Sequence, residues 1–199
     1  AGLLESVFFR CVFAVRNIFW VTGAIYGSYA NLRQRVVQLW NVLLSLLHFF
    51  RPGRISRLFY FVTAQCNARC DFCFNLDNVV NWRARKPDEL KIGEIEKIAD
   101  KLGRLPYITM SGGEPFIRKD LPQVVEAFYR RAKTQWVTIP TNAALTKQAI
   151  EATIDILHRC PTLFLTVQIS IDSLFEEHDR SRVIKGGFDK MAETLGELG

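Results

Sequence analysis

The sequence predicts an α/β protein of parallel βα units, preceded by a helical hydrophobic arm. Three observations carry that prediction. From residue 58 onward, short β-rich apolar runs alternate with longer segments of helical periodicity. Each short run is followed by glycines, cysteines or small polar residues, as at the C-terminal strand ends of parallel sheets. The first fifty residues differ in composition from everything after them. Strand–helix alternation of this kind argues for parallel units with helices packed outside.

The first expected strand is Leu58-Phe59-Tyr60-Phe61-Val62-Thr63. Helical spacing then predicts helices over residues 92–102, 121–132, 147–157 and 187–198, and short apolar runs predict strands over 107–110, 136–139 and 163–171. This makes about four βα units, with no short-period repeat and no low-complexity segment.

Residues 1–50 form the arm. Its uncharged runs, Asn17 to Leu32 (16 residues) and Val36 to Phe50 (15 residues), are short of the ~18–20 residues that span a bilayer. From Val36 onward, Leu39, Trp40, Leu43, Leu47 and Phe50 recur at helical spacing between flanking arginines. Such a helix suits either the membrane interface or a cap packed on the domain or a partner. The arm is too apolar for a transit peptide. Arg51-Pro52-Gly53-Arg54 breaks the pattern, and residues 51–57 read as a linker.

Of the 199 residues, 49% are hydrophobic and 23% charged, which excludes a disordered or collagen-like chain. The net charge of +6 lies entirely in residues 1–57, which hold seven arginines and one acid; residues 58–199 hold 19 basic and 19 acidic residues. The basic balance therefore belongs to the arm, and nucleic acid binding by the rest is not expected. Five cysteines, three of them within eight residues, do not make a disulfide scaffold. Metal binding or thiol chemistry in a reducing, cytoplasmic compartment is the expectation. The chain starts at Ala1 and stops inside an expected helix, which suits a fragment or a processed chain.

After the first strand come Cys66, Cys70 and Cys73, spaced C-x3-C-x2-C, so that one loop can turn three soft thiolates toward a common point. That set suits an iron–sulfur cluster or zinc. A structural zinc site wants a fourth ligand, and none is near in sequence. After the second strand comes Ser111-Gly112-Gly113-Glu114-Pro115, 39 residues from Cys73 to Gly112. Paired glycines allow close backbone approach, and the acid can accept from an ammonium group. Taken alone, the same residues suit an ordinary turn. Thr141-Asn142 and the stretch from Ser170 to Asp172 end the third and fourth strands, where small polar residues suit either a ligand or a helix cap. His178-Asp179-Arg180-Ser181-Arg182 offers an arginine able to hold a carboxylate, or a solvated charged face.

Cys66, Cys70 and Cys73, with Phe72 before the third cysteine, resemble the signature of the radical S-adenosylmethionine (radical SAM) enzymes. Gly112-Gly113-Glu114-Pro115 looks like their methionine-binding motif. The Ile169-Ser170-Ile171-Asp172 strand and the His-Asp-x-x-Arg stretch resemble the branch with peptide-maturing (SPASM-type) and molybdopterin-precursor enzymes. The resemblance covers residues 57–199 and not the arm.

It implies a partial (β/α)6 radical SAM barrel, apparently truncated here to four units over residues 58–199. It implies a 4Fe–4S cluster on Cys66, Cys70 and Cys73, with the amino and carboxylate groups of S-adenosylmethionine on the fourth iron. Gly112, Gly113 and Glu114 would hold the methionine amino group, Arg182 the carboxylate, and Ser170, Asp172, Thr141, Asn142 and Phe72 would line the cofactor site. The implied reaction is reductive cleavage to a 5′-deoxyadenosyl radical that abstracts hydrogen from a peptide or small molecule. A reductant protein of flavodoxin or ferredoxin type is the implied partner, with peripheral membrane contact expected through residues 1–50. One departure is Ala143, where relatives often have glycine, so that turn is expected to differ in shape. The competing readings are a non-catalytic iron–sulfur or zinc module and a membrane-associated scaffold.

Overall fold

The computed structural model describes residues 55–85 and 89–199, together with positions 39, 40, 42–44 and 47 of the arm. The rest of the arm and most of the linker lie outside the described residues. Four strands form one parallel sheet in the order β1-β2-β3-β4. They are β1 (Arg57–Thr63), β2 (Tyr107–Gly112), β3 (Trp136–Thr141) and β4 (Phe164–Ile169). Between and after them run α1 (Leu76–Val80), α2 (Trp82–Arg85), α3 (Ile92–Leu102), α4 (Leu121–Arg131), α5 (Thr146–Arg159), α6 (Phe175–Arg182) and α7 (Gly187–Leu198). A 3₁₀ turn covers Pro115–Ile117.

The alternation read from the sequence is the alternation of the fold, and each β strand pairs with the next in chain order, as βα units require. One sheet face presents Val62, Ile108, Met110, Val137, Ile139, Leu165 and Val167, all buried. These pack in one core with Ile95 and Ala99 of α3, Leu121, Val124, Val125 and Phe128 of α4, and Ala149 and Ile156 of α5. Their spacing is that of a strand face meeting helix stripes. Truncating one of them, Ile139, removes a fully enclosed side chain from the middle of this layer.

The opposite sheet face is layered. One continuous rung joins Arg57, Tyr107, Trp136 and Phe164, and another joins Phe59, Thr109, Thr138 and Thr166. The Arg57 guanidinium sits 4.6 Å from the Tyr107 ring, and Trp136 stacks on Phe164 at 5.6 Å. On β2 to β4 aromatic groups therefore fill the N-terminal rung and threonines the next, while β1 carries Phe59 and Phe61 along the same face.

Three helices were not legible in the sequence: α1, α2 and α6. Helices α1 and α2 show too few turns for a period to emerge, and α6 buries no apolar residue. The described arm positions are helical, and Leu39, Trp40, Leu43 and Leu47 are exposed. Among the described residues no helix is long and apolar enough to cross a membrane.

Candidate functional site

The loop after β1 is fastened to the loop after β2 by backbone hydrogen bonds. Gly113 N–H donates to Thr63 O and Glu114 N–H to Gln65 O, each at 2.8 Å. A Cβ on Gly112 would stand 2.3 Å from Thr63 O, and one on Gly113 2.1 Å from Gln65 O. Gly112 also takes a φ of 121°. The glycine pair is therefore required here by the approach of one strand-end loop to the other, immediately before Cys66. The close approach expected toward a ligand is, in the structure, first an approach to the chain itself.

Glu114 is 1% exposed. Its Oε1 accepts from Phe116 N–H at 3.2 Å and from Thr141 Oγ1 at 2.8 Å, and its Oε2 accepts from Asn142 N–H at 2.9 Å. Burial pushes this carboxyl above the usual carboxylate range, while the three hydrogen bonds and the Arg182 charge pull it back. Glu114 thus ties the loop after β2 to the loop after β3, and one Oε2 lone pair is left for a further donor.

The third loop continues the network. Thr141 Oγ1 accepts from Ala143 N–H at 2.9 Å, and Asn142 Oδ1 accepts from Ala144 N–H at 3.0 Å. Asn142 Nδ2 donates to Asn67 Oδ1 at 2.8 Å and lies 4.0 Å from Cys66 Sγ. Ala143 takes a φ of 57°, the left-handed conformation that glycine adopts most easily. The turn keeps a glycine-like backbone despite the alanine, and Thr194 of α7 pins it by donating to Ala143 O at 2.7 Å. Ser170 N–H donates to Thr141 O at 3.0 Å, which brings the end of β4 into the set.

The cysteine loop closes against α6. Arg69 N–H donates to Arg182 O at 3.1 Å, and Arg69 Nη1 donates to Cys66 O and Ala68 O at 2.8 and 2.6 Å. Arg182 pairs with Asp172 at 2.6 Å, and its guanidinium lies 5.9 Å from the Phe72 ring. Its Nε is buried with no partner. Of the residues singled out in the sequence, Cys70 is near the others through the Arg182 charge, and Cys73 donates its N–H to Cys70 O at 3.2 Å. Arg69, Asn67 and Arg118 escaped the sequence reading. Arg118 donates to Val62 O and Leu90 O, both at 2.7 Å, to Tyr60 Oη at 3.3 Å and to Asp120 at 2.8 Å.

Burial pushes the Cys66 thiol up to about 11 and also raises Cys70, whose rise is opposed by the Arg182 charge. Buried thiols of this kind become ligands when a cation replaces their protons. Among the described residues no three His, Cys, Asp or Glu side chains are placed to hold one metal ion. A single zinc needs its donors ~2.3 Å from one point, whereas a cluster takes each thiolate on a different iron. The donor set fits an iron–sulfur cluster, and the unpartnered Arg182 Nε beside it fits an anionic group such as a carboxylate.

The residues brought together thus lie on the strand-end loops, where parallel α/β folds keep their functional groups, and three of them are thiols suited to a protein-held cluster. The chain belongs to the Radical SAM superfamily, a class of enzymes, whose sequence profile matches residues 60–198. Its cofactors are those of the class, a 4Fe–4S cluster and S-adenosylmethionine. Fe-coproporphyrin III synthase from Methanosarcina barkeri is 31% identical over 137 residues, covering 67% of this chain and 31% of that protein. GTP 3',8-cyclase from Aquifex aeolicus is 28% identical over 106 residues, covering 51% of this chain and 32% of that one. The chain thus spans about a third of the length of these curated relatives. Among solved structures, Streptococcus suis SuiB bound to precursor peptide SuiA superposes with a TM-score of 0.54 at 22% identity, over 85% of this chain and 37% of that one. The anSMEcpe structure with bound AdoMet and Cp18Cys peptide gives 0.51 at 16% identity, over 73% of this chain and 40% of that one. Both share the fold, a partial barrel here of four strands.

Proposed function

We propose that this chain is the cofactor-binding part of a radical SAM enzyme acting on a peptide or a small molecule. Cys66, Cys70 and Cys73 bind three irons of the cluster. Gly112, Gly113 and Glu114 receive the methionine amino group, Arg182 receives the carboxylate, and Thr141, Asn142, Ser170, Asp172 and Phe72 line the same space. When bound, the cluster and S-adenosylmethionine supply reductive cleavage to a 5′-deoxyadenosyl radical, which abstracts hydrogen from the substrate.

The chain's own residues do the holding. Glu114, fixed by three donors, keeps the second and third loops at a constant separation and offers one lone pair to an ammonium group. Arg182, paired on one side with Asp172, has its Nε edge left for a second carboxylate. The carrying observation is the fastening of the cysteine loop to the neighbouring strand ends through Gly113, Glu114, Asn142 and Arg182. A reductant protein of flavodoxin or ferredoxin type would supply the electron. The substrate classes follow the names of the relatives, which include a cyclase of GTP and structures holding peptides. The exposed helical positions Leu39, Trp40, Leu43 and Leu47 support peripheral membrane contact through residues 1–50.

Anaerobic reconstitution of the gene product with iron and sulfide, followed by dithionite and S-adenosylmethionine, tests the reading. Release of 5′-deoxyadenosine is expected, falling at least about a hundredfold in Cys70→Ala as the cluster loses a ligand. A reconstituted wild type that releases none overturns it.

A further inference from the structure

Arg69 stands between Cys66 and Cys70, and its side chain turns back on the loop that carries it. Its Nη1 donates to Cys66 O at 2.8 Å and to Ala68 O at 2.6 Å. Its backbone N–H donates to Arg182 O, at the end of α6, at 3.1 Å. Three carbonyls from two separate segments are thus met by one residue. The two hydrogens on Nη1 lie in the guanidinium plane at a set angle to each other, so they dictate the spacing of the two loop carbonyls. The rotating head of a lysine imposes no such spacing.

The carbonyls that share Nη1 flank the peptide between Asn67 and Ala68. With one carbonyl held on each side, that peptide has little freedom to rotate. Its N–H, on Ala68, is donated to Cys66 Sγ at 3.4 Å. Asn142 Nδ2 grips the same turn from the third strand end by donating to Asn67 Oδ1 at 2.8 Å. Ala68 is buried, so little water competes for its N–H. Such a bond gains strength when its acceptor is charged. Hydrogen bonds to the sulfurs of an iron–sulfur centre, together with nearby charge, set its reduction potential. A donor on a ligand sulfur and a cation on the same residue's carbonyl both favour the more negative, reduced form.

We infer that Arg69 is a positioning residue for the cluster site, its clamp on Cys66 O and Ala68 O aiming the Ala68 N–H at Cys66 Sγ and so raising the reduction potential of the bound cluster. The effect on potential rests on the proposed reading of Cys66 as a cluster ligand, whereas the clamp belongs to the chain alone. Arg69 therefore acts through the Ala68 N–H and touches neither substrate nor S-adenosylmethionine.

Potentiometric titration of the reconstituted gene product, without S-adenosylmethionine and with the reduced cluster read by electron paramagnetic resonance, tests it. With excess iron and sulfide, Arg69→Met should load as the wild type does. Its reduction equilibrium should move about tenfold toward the oxidised cluster, a fall of about 59 mV for one electron. Arg69→Lys keeps the charge but not the fixed fork, and its potential should lie closer to that of Arg69→Met than to the wild type. A wild-type potential in Arg69→Met overturns the inference. A wild-type potential in Arg69→Lys beside a lowered one in Arg69→Met assigns the effect to charge and overturns the positioning role. Should Arg69→Met take up no cluster, Arg69→Lys decides alone: a lowered potential at constant charge supports the clamp, and an unchanged one overturns it. A wild type with no 4Fe–4S signal sinks the ligand reading of Cys66 instead, and the effect on potential with it.

Discussion

Among the described non-glycine residues at positive φ, Val183 is the β-branched one, for which that conformation is least favourable. It follows α6 with a φ of 54° and ψ of 45° and is 62% exposed. A left-handed conformation costs an L-residue about 1–2 kcal/mol, and a β-branched one is a clear outlier there. Val183→Gly removes that strain and sacrifices little buried surface. Glycine's greater freedom in the unfolded chain takes back about 0.4–1 kcal/mol. A net gain of about 0.5–1 kcal/mol is expected, read as a rise in Tm of about 1–4 °C. An unchanged or lower Tm would show that Val183 is not strained. Ala143, at a similar φ of 57°, makes the useful contrast. Its methyl is fully enclosed, so glycine there loses about 0.8 kcal/mol of burial as well, and little net gain is expected. The same angle thus favours glycine at the surface and is nearly neutral in the core.

Among elements, the attachment of β1 depends on Arg118. Its guanidinium ties the end of β1 to the loop before α3 and, through Asp120, to the start of α4. The hydrogen bond from Arg118 holds the Asp120 carboxyl below the ordinary aspartate range. The sign follows directly. A carboxyl whose folded pKa is depressed contributes stability above its unfolded value of ~3.9 and loses it as pH falls through the folded value. Urea unfolding of wild type and Asp120→Asn should therefore differ most at pH 6–7, with the wild type more stable, and the gap should close below about pH 4. A gap that stays constant to pH 3 would mean that the ion pair contributes nothing. Removing Arg118 itself leaves two backbone carbonyls short of donors, and Arg118→Met is expected to cost about 3 kcal/mol.

Arg118 also shows where sequence reading reaches its limit. The cysteine loop and the Gly-Gly-Glu-Pro turn were legible because their signal is residue type at fixed spacing. Arg118 and Arg69 act on backbone carbonyls, which look alike in any sequence, so nothing marked them in advance. The long helices α3, α4, α5 and α7 announced themselves by an apolar stripe. Helices α1 and α2 run five and four residues, too few to display a period. Helix α6 was missed for a different reason, since its buried face is His178 and Arg182 and a hydrophobic pattern is silent there. Glu114 was read as a ligand-facing acid from its motif, but its role in joining two loops needed the third strand end to be in place.

At the scale of the whole molecule, charge is divided as sharply as composition. Residues 58–199 are formally neutral, and the +6 belongs to the arm and linker. On the proposed membrane reading, attraction to an anionic surface would rest on the arginines of the arm and linker. Four arginines, Arg33, Arg35, Arg51 and Arg54, flank the apolar run that includes the exposed Leu39, Trp40, Leu43 and Leu47. Each basic residue near an anionic bilayer contributes about 1 kcal/mol, falling off within a Debye length of ~8–10 Å. Replacing these four by glutamine in the intact chain should lower co-sedimentation with phosphatidylserine-containing vesicles by at least about tenfold. Raising the salt from about 0.1 to 0.5 M should weaken wild-type binding in the same direction. Trp40→Ala should weaken it further at either salt, because apolar insertion is not screened. Iron content after reconstitution should be the same in all of these variants, since every substituted position precedes β1 in the sequence. Vesicle binding that survives both the glutamine substitutions and Trp40→Ala would place the contact on the neutral body and remove the arm from the account.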